Sequence, residues 1–211
     1  MELYLPDKPN LEVFYSVMVH NKYGELMDGE EGESHSFVQA FLIGMLGNLV
    51  RLITFTTATT VDVTNASHNI GMPSGANYGD TNPRALGAVN SSTDGIVVGT
   101  GNTAVAVTDY VLATQIVHGT GAGQLSHAAQ TVDTDITRVS NTCTWNTQRV
   151  FTNSSGGDII VAEMGLYGLY GRVNTANTTD VYCLIRDVLG STKTITNGST
   201  GTFKYTLQTV S

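Results

Sequence analysis

The stretch that decides the fold is RVFTNSSGGDIIVAEMGLYG (149–168), which is followed after a polar segment by DVYCLIRDVLG (180–190). Both contain apolar runs rich in Val, Ile and Tyr, and segments rich in Gly, Asn, Ser and Thr bound them. Short apolar runs between turn signals are typical of strands in an antiparallel sandwich or barrel. We therefore predict that the chain is mainly β.

Further strand candidates lie on both sides of this stretch, separated by the turn-forming segments GTGN, GTGAG and TNGSTG. The segment TDYVLATQI (108–116) fits either a short helix or an extended crossover. The expected architecture is an antiparallel β-sandwich, jelly-roll-like, built from residues 94–211, with one apolar α-helix N-terminal to it. The predicted strands of this body are 95–99, 124–132, 135–151, 158–168, 180–189, 192–196 and 202–210.

Residues 1–33 are predicted to form an N-terminal arm, a strand at 11–19 and an acidic loop. The loop is NKYGELMDGEEGES (21–34), which is polar and punctuated by glycines, and we expect it to be solvated. The alternative is a calcium site formed by Asp28, Glu30 and Glu31. The regular ligand spacing of a calcium loop is missing, which favours the solvated loop.

Residues 34–93 are predicted to contain a docking helix, a Thr-rich strand at 54–64 and a long irregular segment at 65–93. An irregular segment of this length is usually functional or an interaction surface. We expect it to wrap against a neighbouring subunit, and ligand binding is the open alternative. Residues 34–211 are expected to form one folded domain.

The one strong helix pattern is SFVQAFLIGMLGNLVRLI (36–53), in which Ser36 and Gln39 fit a capping box. Apolar side chains cover most of its circumference, which is typical of a helix that is buried or in a membrane. The segment is short for a membrane span and contains Asn48 and Arg51, so we predict burial in a core or between subunits. The predicted interface side chains are Phe37, Phe41, Leu42, Met45, Leu46, Leu49 and Leu52.

Two charged residues interrupt the apolar strands. Glu163 shares a face with Ile159 and Val161, so we expect it to be partly buried, and a buried carboxylate is costly unless it is paired. Arg186 interrupts a similar run and is the predicted partner, with Arg149 as the second choice. We predict a structural Glu163–Arg186 ion pair rather than a catalytic carboxylate, because hydrolysis needs a second, suitably placed acid.

No catalytic or metal-ligating pattern is visible, and we predict no enzymatic activity, no cofactor and no metal. The five histidines show no metal-ligand spacing, and no nucleophile elbow, P-loop or CxxC pair occurs. Asp133 and Asp135 could share a cation, but a solvated edge is the favoured interpretation. Cys143 and Cys183 are expected to be buried thiols rather than a disulfide. Trp145 is expected to anchor the core rather than to stack on a sugar.

The composition indicates which classes of binding partner to expect. Only 13% of residues are charged and the net charge is −8, with no basic stripe, so nucleic acid is not expected as a direct partner. A charge-poor surface rich in Thr and Gly suits a protein that packs against copies of itself. The N-terminus, MELYLPDKPN, lacks the pattern of a signal peptide, so we expect synthesis and folding in a cytoplasm.

Several phrases of the body, taken in order, resemble a group of virion structural proteins of tailed bacteriophages. The phrases are GIVVGTGNTAVAVTDYVLATQIVHGTGAGQLSH, RVFTNSSGGDIIVAEMGLYG, LIRDVLG and GTFKYTLQTV, and they run from Gly95 to the C-terminus. The resemblance implies a β-sandwich that assembles as a homo-oligomer with other virion proteins, on the tail or, second, as a capsid decoration. The implied location is the virion, and no enzymatic activity is implied. The alternative function is a host-glycan-binding module of a tail fibre.

Overall fold

The structure is a computed structural model, and it describes residues 10–34, 37–49, 59–70, 84–171 and 179–210. This part of the chain is mainly β, with antiparallel sheets that pack together and a single helix, so the prediction of a β-sandwich is confirmed. The elements are β1 (Asn10–His20), β2 (Leu26–Ser34), α1 (Gln39–Leu49), β3 (Thr59–Val61), β4 (Ser67–Asn69), β5 (Gly95–Gly99), β6 (Ser126–His127), β7 (Thr131–Val132), β8 (Thr137–Val139), β9 (Thr142–Thr152), β10 (Ile159–Gly171), β11 (Thr179–Ile195) and β12 (Thr200–Val210).

The first sheet has the order β2-β1-β12-β9, and the short strands β6, β7 and β8 pair with the remaining edge of β9. The second sheet has the order β11-β10-β5, and β3 and β4 form a separate hairpin. The chain crosses between the two sheets from β9 to β10 and returns from β11 to β12. The β10–β11 pair is therefore nested inside the β9–β12 pair, which is the jelly-roll-like feature of the fold.

The core lies between the two sheets and follows from the alternation of side chains along each strand. On β1, Val13, Val17 and Val19 are buried, and the even-numbered side chains lie on the opposite face. On β9 and β12, which are neighbouring strands of the same sheet, Phe151 and Phe203 meet edge to face with ring centroids 5.4 Å apart. β10 is buried on both faces, because the core covers one side and the connection after β5 contacts the other.

Most of the segment 21–34, which the sequence predicts as a solvated loop, forms strand β2 in the structure. The chain turns tightly after β1, where the side-chain carbonyl of Asn21 accepts hydrogen bonds from the backbone N–H groups of Tyr23 and Glu25. β2 then pairs along β1 as the edge strand of the first sheet. The loop prediction is wrong because an edge strand with glycines and exposed carboxylates lacks the apolar alternation that identifies a strand.

The pairing of β1 corrects the boundary of the folded body. β1 lies between β2 and β12, and its register with β12 runs from Asn10 opposite Val210 to His20 opposite Thr200. The sandwich therefore includes residues 10–20, which lie outside the predicted body of 94–211, because β1 is an inner strand of the larger sheet. The N-terminal strand was recognisable in the sequence, but its partner at the other end of the chain was not.

Other boundaries shift for local reasons. The strands predicted at 180–189 and 192–196 form one strand, β11, and the one predicted at 135–151 is broken by a turn in which Ser140 has φ of 52°. The segment 108–116 is irregular rather than helical. Of the strand predicted at 54–64, the structure describes only 59–64 and forms β3 there. Ser36 of the predicted capping box and residues 71–83 of the long segment lie outside the described residues.

Glu30 links β2 to β11 by hydrogen bonds, and these bonds stabilise the acidic strand β2. Its carboxylate accepts hydrogen bonds from the Tyr15 hydroxyl at 2.7 Å, from the Gly190 N–H at 2.6 Å and from the Ser191 hydroxyl at 2.7 Å. The Lys193 ammonium lies 3.2 Å from the same carboxylate. Burial alone raises the pKa of Glu30, but these hydrogen bonds outweigh burial and lower the pKa to about 2.

We expect Glu30→Gln to lower the free energy of unfolding at pH 7 by roughly 1–3 kcal/mol, because the donors around Glu30 lose a charged acceptor. The unfolded carboxyl titrates near its ordinary value of 4.5, above the folded pKa, so the contribution of Glu30 is present above pH 4.5 and is lost as the pH falls toward 2. Urea unfolding at pH 7 and pH 3 measures both effects. The exposed neighbour Glu31→Gln is the control, and equal losses in both variants would contradict the role of Glu30.

Candidate functional site

Helix α1 lies on the second sheet at β11. The backbone N–H of Val38 donates to the Leu184 carbonyl at 3.2 Å, and the N–H of Gln39 donates to the Val107 carbonyl at 2.9 Å. Gly44 contacts the ring of Tyr170 so closely that a Cβ at this position would lie 2.4 Å from the ring carbon Cζ. The glycine therefore admits an aromatic side chain of the sheet.

The predicted interface residues of the helix divide into two groups. Phe37 and Phe41 stack with ring centroids 4.0 Å apart and pack against the core. Leu42 is 63% exposed and Met45 is 38% exposed, so both point away from the sandwich. Val107, beside the start of the helix, is 65% exposed. The side chains of the three remaining predicted residues lie outside the described residues, namely Leu46, Leu49 and Leu52.

Over residues 39–45, whose side chains the structure describes, the helix is thus half-covered rather than buried all round. In the described part of the chain, no helix combines the length and the apolar character required to cross a membrane.

Glu163 and Arg186 lie side by side in the interior. Arg186 Nε donates to Glu163 Oε2 at 3.0 Å, and Nη2 lies 3.0 Å from the same oxygen. Glu163 is 0% and Arg186 2% exposed. A third member, Asp109, accepts a hydrogen bond from Arg186 Nη1 at 2.6 Å, and the Thr103 carbonyl accepts one from Nη2. Burial lowers the pKa of Arg186, but its bonds to Asp109 and Glu163 outweigh burial and raise it above the ordinary value.

The remaining contacts of Glu163 are to the backbone of the connection after β5. Its Oε1 accepts from the N–H groups of Gly101 at 3.1 Å and Thr114 at 2.8 Å, and its Oε2 accepts from the Ala113 N–H at 3.0 Å. A Cβ at Gly101 would lie 2.4 Å from Glu163 Oε1, so only glycine allows this approach. These three hydrogen bonds attach the loop to the sheet, which is a structural role.

Arg149, the second-choice partner of Glu163, lies on β9 in the first sheet and has different partners. It is fully buried and donates only to backbone carbonyls. Burial lowers the pKa of its guanidinium. The arginine thereby ties the connections before β5 and after β6 to the sheet. Its acceptors are the carbonyl oxygens of Ala88, Ser91, Asp94, Ile96 and Ala128.

His127 is a buried histidine that the sequence did not single out. Its Nδ1 donates to the Ser91 carbonyl at 2.8 Å, and its buried Nε2 has no hydrogen-bond partner. Burial lowers the pKa of His127 to about 4, so the ring stays neutral at pH 7.

The cysteines, the tryptophan and the two aspartates that the sequence analysis discussed do not form a common site in the structure. Cys143 is half-buried and Cys183 is buried, and both are free thiols. Trp145 is half-buried and is not part of the core cluster, so it does not anchor the core as expected. Asp133 accepts hydrogen bonds from Asn146, and Asp135 is exposed.

Two of the three carboxylates of the alternative calcium site, Asp28 and Glu30, form ion pairs with a lysine instead. The Lys193 ammonium lies 3.1 Å from Asp28 and 3.2 Å from Glu30, and Glu31 is exposed.

One cluster of metal-ligating side chains occurs in the described residues, and the sequence spacing did not reveal it. Asp62, His68 and Asp180 bring one ligand atom each to within 4.8 Å of one another. Burial raises the pKa of Asp62, but hydrogen bonds from Thr64, Ala66 and His68 outweigh burial and lower it. The cluster was missed because more than half of the chain separates Asp180 from the other two, so only the fold brings them together.

In comparisons with known proteins, no family model, no curated protein and no solved structure matches the chain.

We expect Glu163→Gln to lower the free energy of unfolding by about 3–5 kcal/mol, because it removes one partner of a buried ion pair. Hydrogen exchange should accelerate selectively at the Gly101, Ala113 and Thr114 amides, which lose a charged acceptor. Chemical unfolding and exchange mass spectrometry measure the two effects, with the exposed Asp135→Asn as the matched control. A loss below about 1 kcal/mol, the scale of exposed pairs, would contradict the assigned role.

Proposed function

We propose that this chain is a non-enzymatic structural subunit of a bacteriophage particle that assembles with copies of itself and with other virion proteins on the tail or capsid. The bacteriophage assignment rests on the ordered phrases from Gly95 onward. The assembly role rests on the half-covered helix. The buried charges support a structural subunit, because Glu163, Arg186 and Arg149 are all engaged in fastening loops to the two sheets.

The observation that carries the assembly role is the outward side of α1. Leu42 and Met45 lie one turn apart on the helix and are both exposed, and exposed Val107 adjoins the helix start. Contiguous apolar surface on a soluble protein commonly marks a contact with another protein. A second copy of the chain fits this surface, because the charge-poor composition limits repulsion between identical faces.

We expect the purified chain to form a homo-oligomer, and Leu42→Glu to weaken its association at least about tenfold, because a buried unpaired carboxylate is costly. Size-exclusion chromatography with light scattering over a concentration series measures the molar mass. Val139→Glu is the matched control, since Val139 is 68% exposed in β8 of the first sheet. A monomeric wild type at all concentrations, or equal dissociation of the two variants, would sink the proposal.

Glycan binding is the second candidate, and a groove on the outward face of the first sheet favours it. Two adjoining depressions of about 360 and 300 Å³ share Lys204 as a border. The strand register places Phe14, Thr206 and Asn146 in one cross-strand row. An aromatic ring beside hydroxyl, amide and ammonium groups is a combination that can stack on a sugar and bind its hydroxyls.

The test of this second candidate is a glycan array probed with the wild type and with Lys204→Ala. Binding that Lys204→Ala reduces at least about tenfold would support the groove, because Lys204 borders both depressions. Lys22→Ala, in the exposed turn after β1, is the control. No binding to the array, or equal loss in both variants, would reject a glycan role for this face.

A further inference from the structure

Three side chains that commonly bind metals converge where the β3–β4 hairpin meets β11. Asp62 directly follows β3, His68 lies in β4, and Asp180 is the second residue of β11. His68 Nε2 lies 3.1 Å from Asp62 Oδ2 and 3.9 Å from Asp180 Oδ2. The exposed fractions of the three side chains are 7% for Asp62, 16% for His68 and 12% for Asp180. The three groups therefore share one sheltered point.

These distances suit a metal ion. Zn²⁺ binds nitrogen and oxygen ligands at about 2.0–2.2 Å, so two ligand atoms of a tetrahedral site lie about 3.3 Å apart. The separation of 3.1 Å between His68 and Asp62 is close to this value, and the separation of 3.9 Å between His68 and Asp180 is somewhat longer. All three ligand atoms lie within 4.8 Å of one another, which is close enough for one ion to bridge them.

The ligands are held in place by contacts outside the cluster. Asp62 Oδ1 accepts the Thr64 N–H at 2.8 Å and the Ala66 N–H at 2.9 Å, which orients Oδ2 toward His68. The hairpin is joined to β11 by the Val63 N–H, which donates to the Val181 carbonyl at 3.0 Å. Hydrogen bonds that orient a ligating carboxylate are typical of protein metal sites.

The charge of the cluster also favours an ion of charge +2. Two carboxylates lie in a mostly covered site, and a divalent ion bound between them neutralises both charges.

We infer that Asp62, His68 and Asp180 bind one divalent transition-metal ion, with Zn²⁺ as the best fit. One imidazole nitrogen with two carboxylate oxygens suits Zn²⁺, whereas Ca²⁺ and Mg²⁺ prefer sites made of oxygen alone. The protein supplies three ligands, which leaves a coordination position for water or for a group from outside. The bound ion fastens the β3–β4 hairpin to the second sheet.

The test is calorimetric titration of the untagged full chain with Zn²⁺, together with Co²⁺ as an optical probe of coordination geometry. We expect one ion per chain, a visible Co²⁺ spectrum typical of tetrahedral nitrogen and oxygen ligation, and a rise in Tm with Zn²⁺. His68→Gln and Asp180→Asn should each weaken binding at least about 100-fold, because each removes a ligand. Asp62 is left unchanged, since it also holds its own turn.

Asp133→Asn is the matched control, because it removes an exposed carboxylate that is not part of the cluster and should leave the affinity unchanged. A second measurement on the wild type does not depend on how the variants fold. Mn²⁺ should broaden the NMR signals of residues 61–68 and 179–181 before any others. Absence of binding by the wild type, unchanged affinity of both ligand variants, or broadening centred elsewhere would each overturn the inference.

This inference is independent of the assembly proposal. The oligomer and the metal site are measured on different variants, Leu42→Glu for one and Asp180→Asn for the other, so either can fail while the other stands.

Discussion

The buried pair between Glu163 and Arg186 is the interaction on which the second sheet and its long connection depend. Two unlike charges can be buried only when each is paired and hydrogen-bonded, because desolvation of either one alone costs several kcal/mol. The structure meets this requirement with Asp109 and with the backbone N–H groups of Gly101 and Thr114. The irregular segment after β5 is therefore held in one conformation without a strand or helix of its own.

In the first sheet, the buried Arg149 must also be hydrogen-bonded, but its partners are backbone carbonyls instead of carboxylates. Its guanidinium donates only to carbonyl oxygens, which satisfies buried backbone acceptors that no strand pairing satisfies. Each sheet thus uses one buried arginine to organise the loops beside it. The buried charges therefore hold these loops against the sheets through hydrogen bonds.

The edges of the sandwich bear on where the proposed oligomer contact could form. β2 is an edge strand whose exposed Glu31 and Glu33 discourage pairing with a strand of another molecule. Charge repulsion of this kind does not oppose a contact through Leu42 and Met45 on the outward side of α1, because both are apolar. The helix and the β3–β4 hairpin border a common depression with residues 108–110, so an ion at the hairpin would also stabilise the support on which α1 rests.

Much of the fold could be predicted because strands with a buried face leave a local signal. The run IIVAEMGLYG and the closing GTFKYTLQTV alternate or stay apolar over their whole length, and both form strands close to the expected ranges. β2 could not be predicted in this way. Its stability comes from pairing with β1 and from the bonds of Glu30 to Ser191 and Gly190, which lie far along the chain.

The β class, the helix and the candidate charges Glu163 and Arg186 could be predicted from the sequence, because periodicity and a charge within an apolar run are local properties. The partners of these residues depend on the fold. Asp109 joins Arg186, Asp180 joins Asp62 and His68, and β1 joins β12. These contacts link residues that are distant in the chain, and the closure of the two sheets places them together.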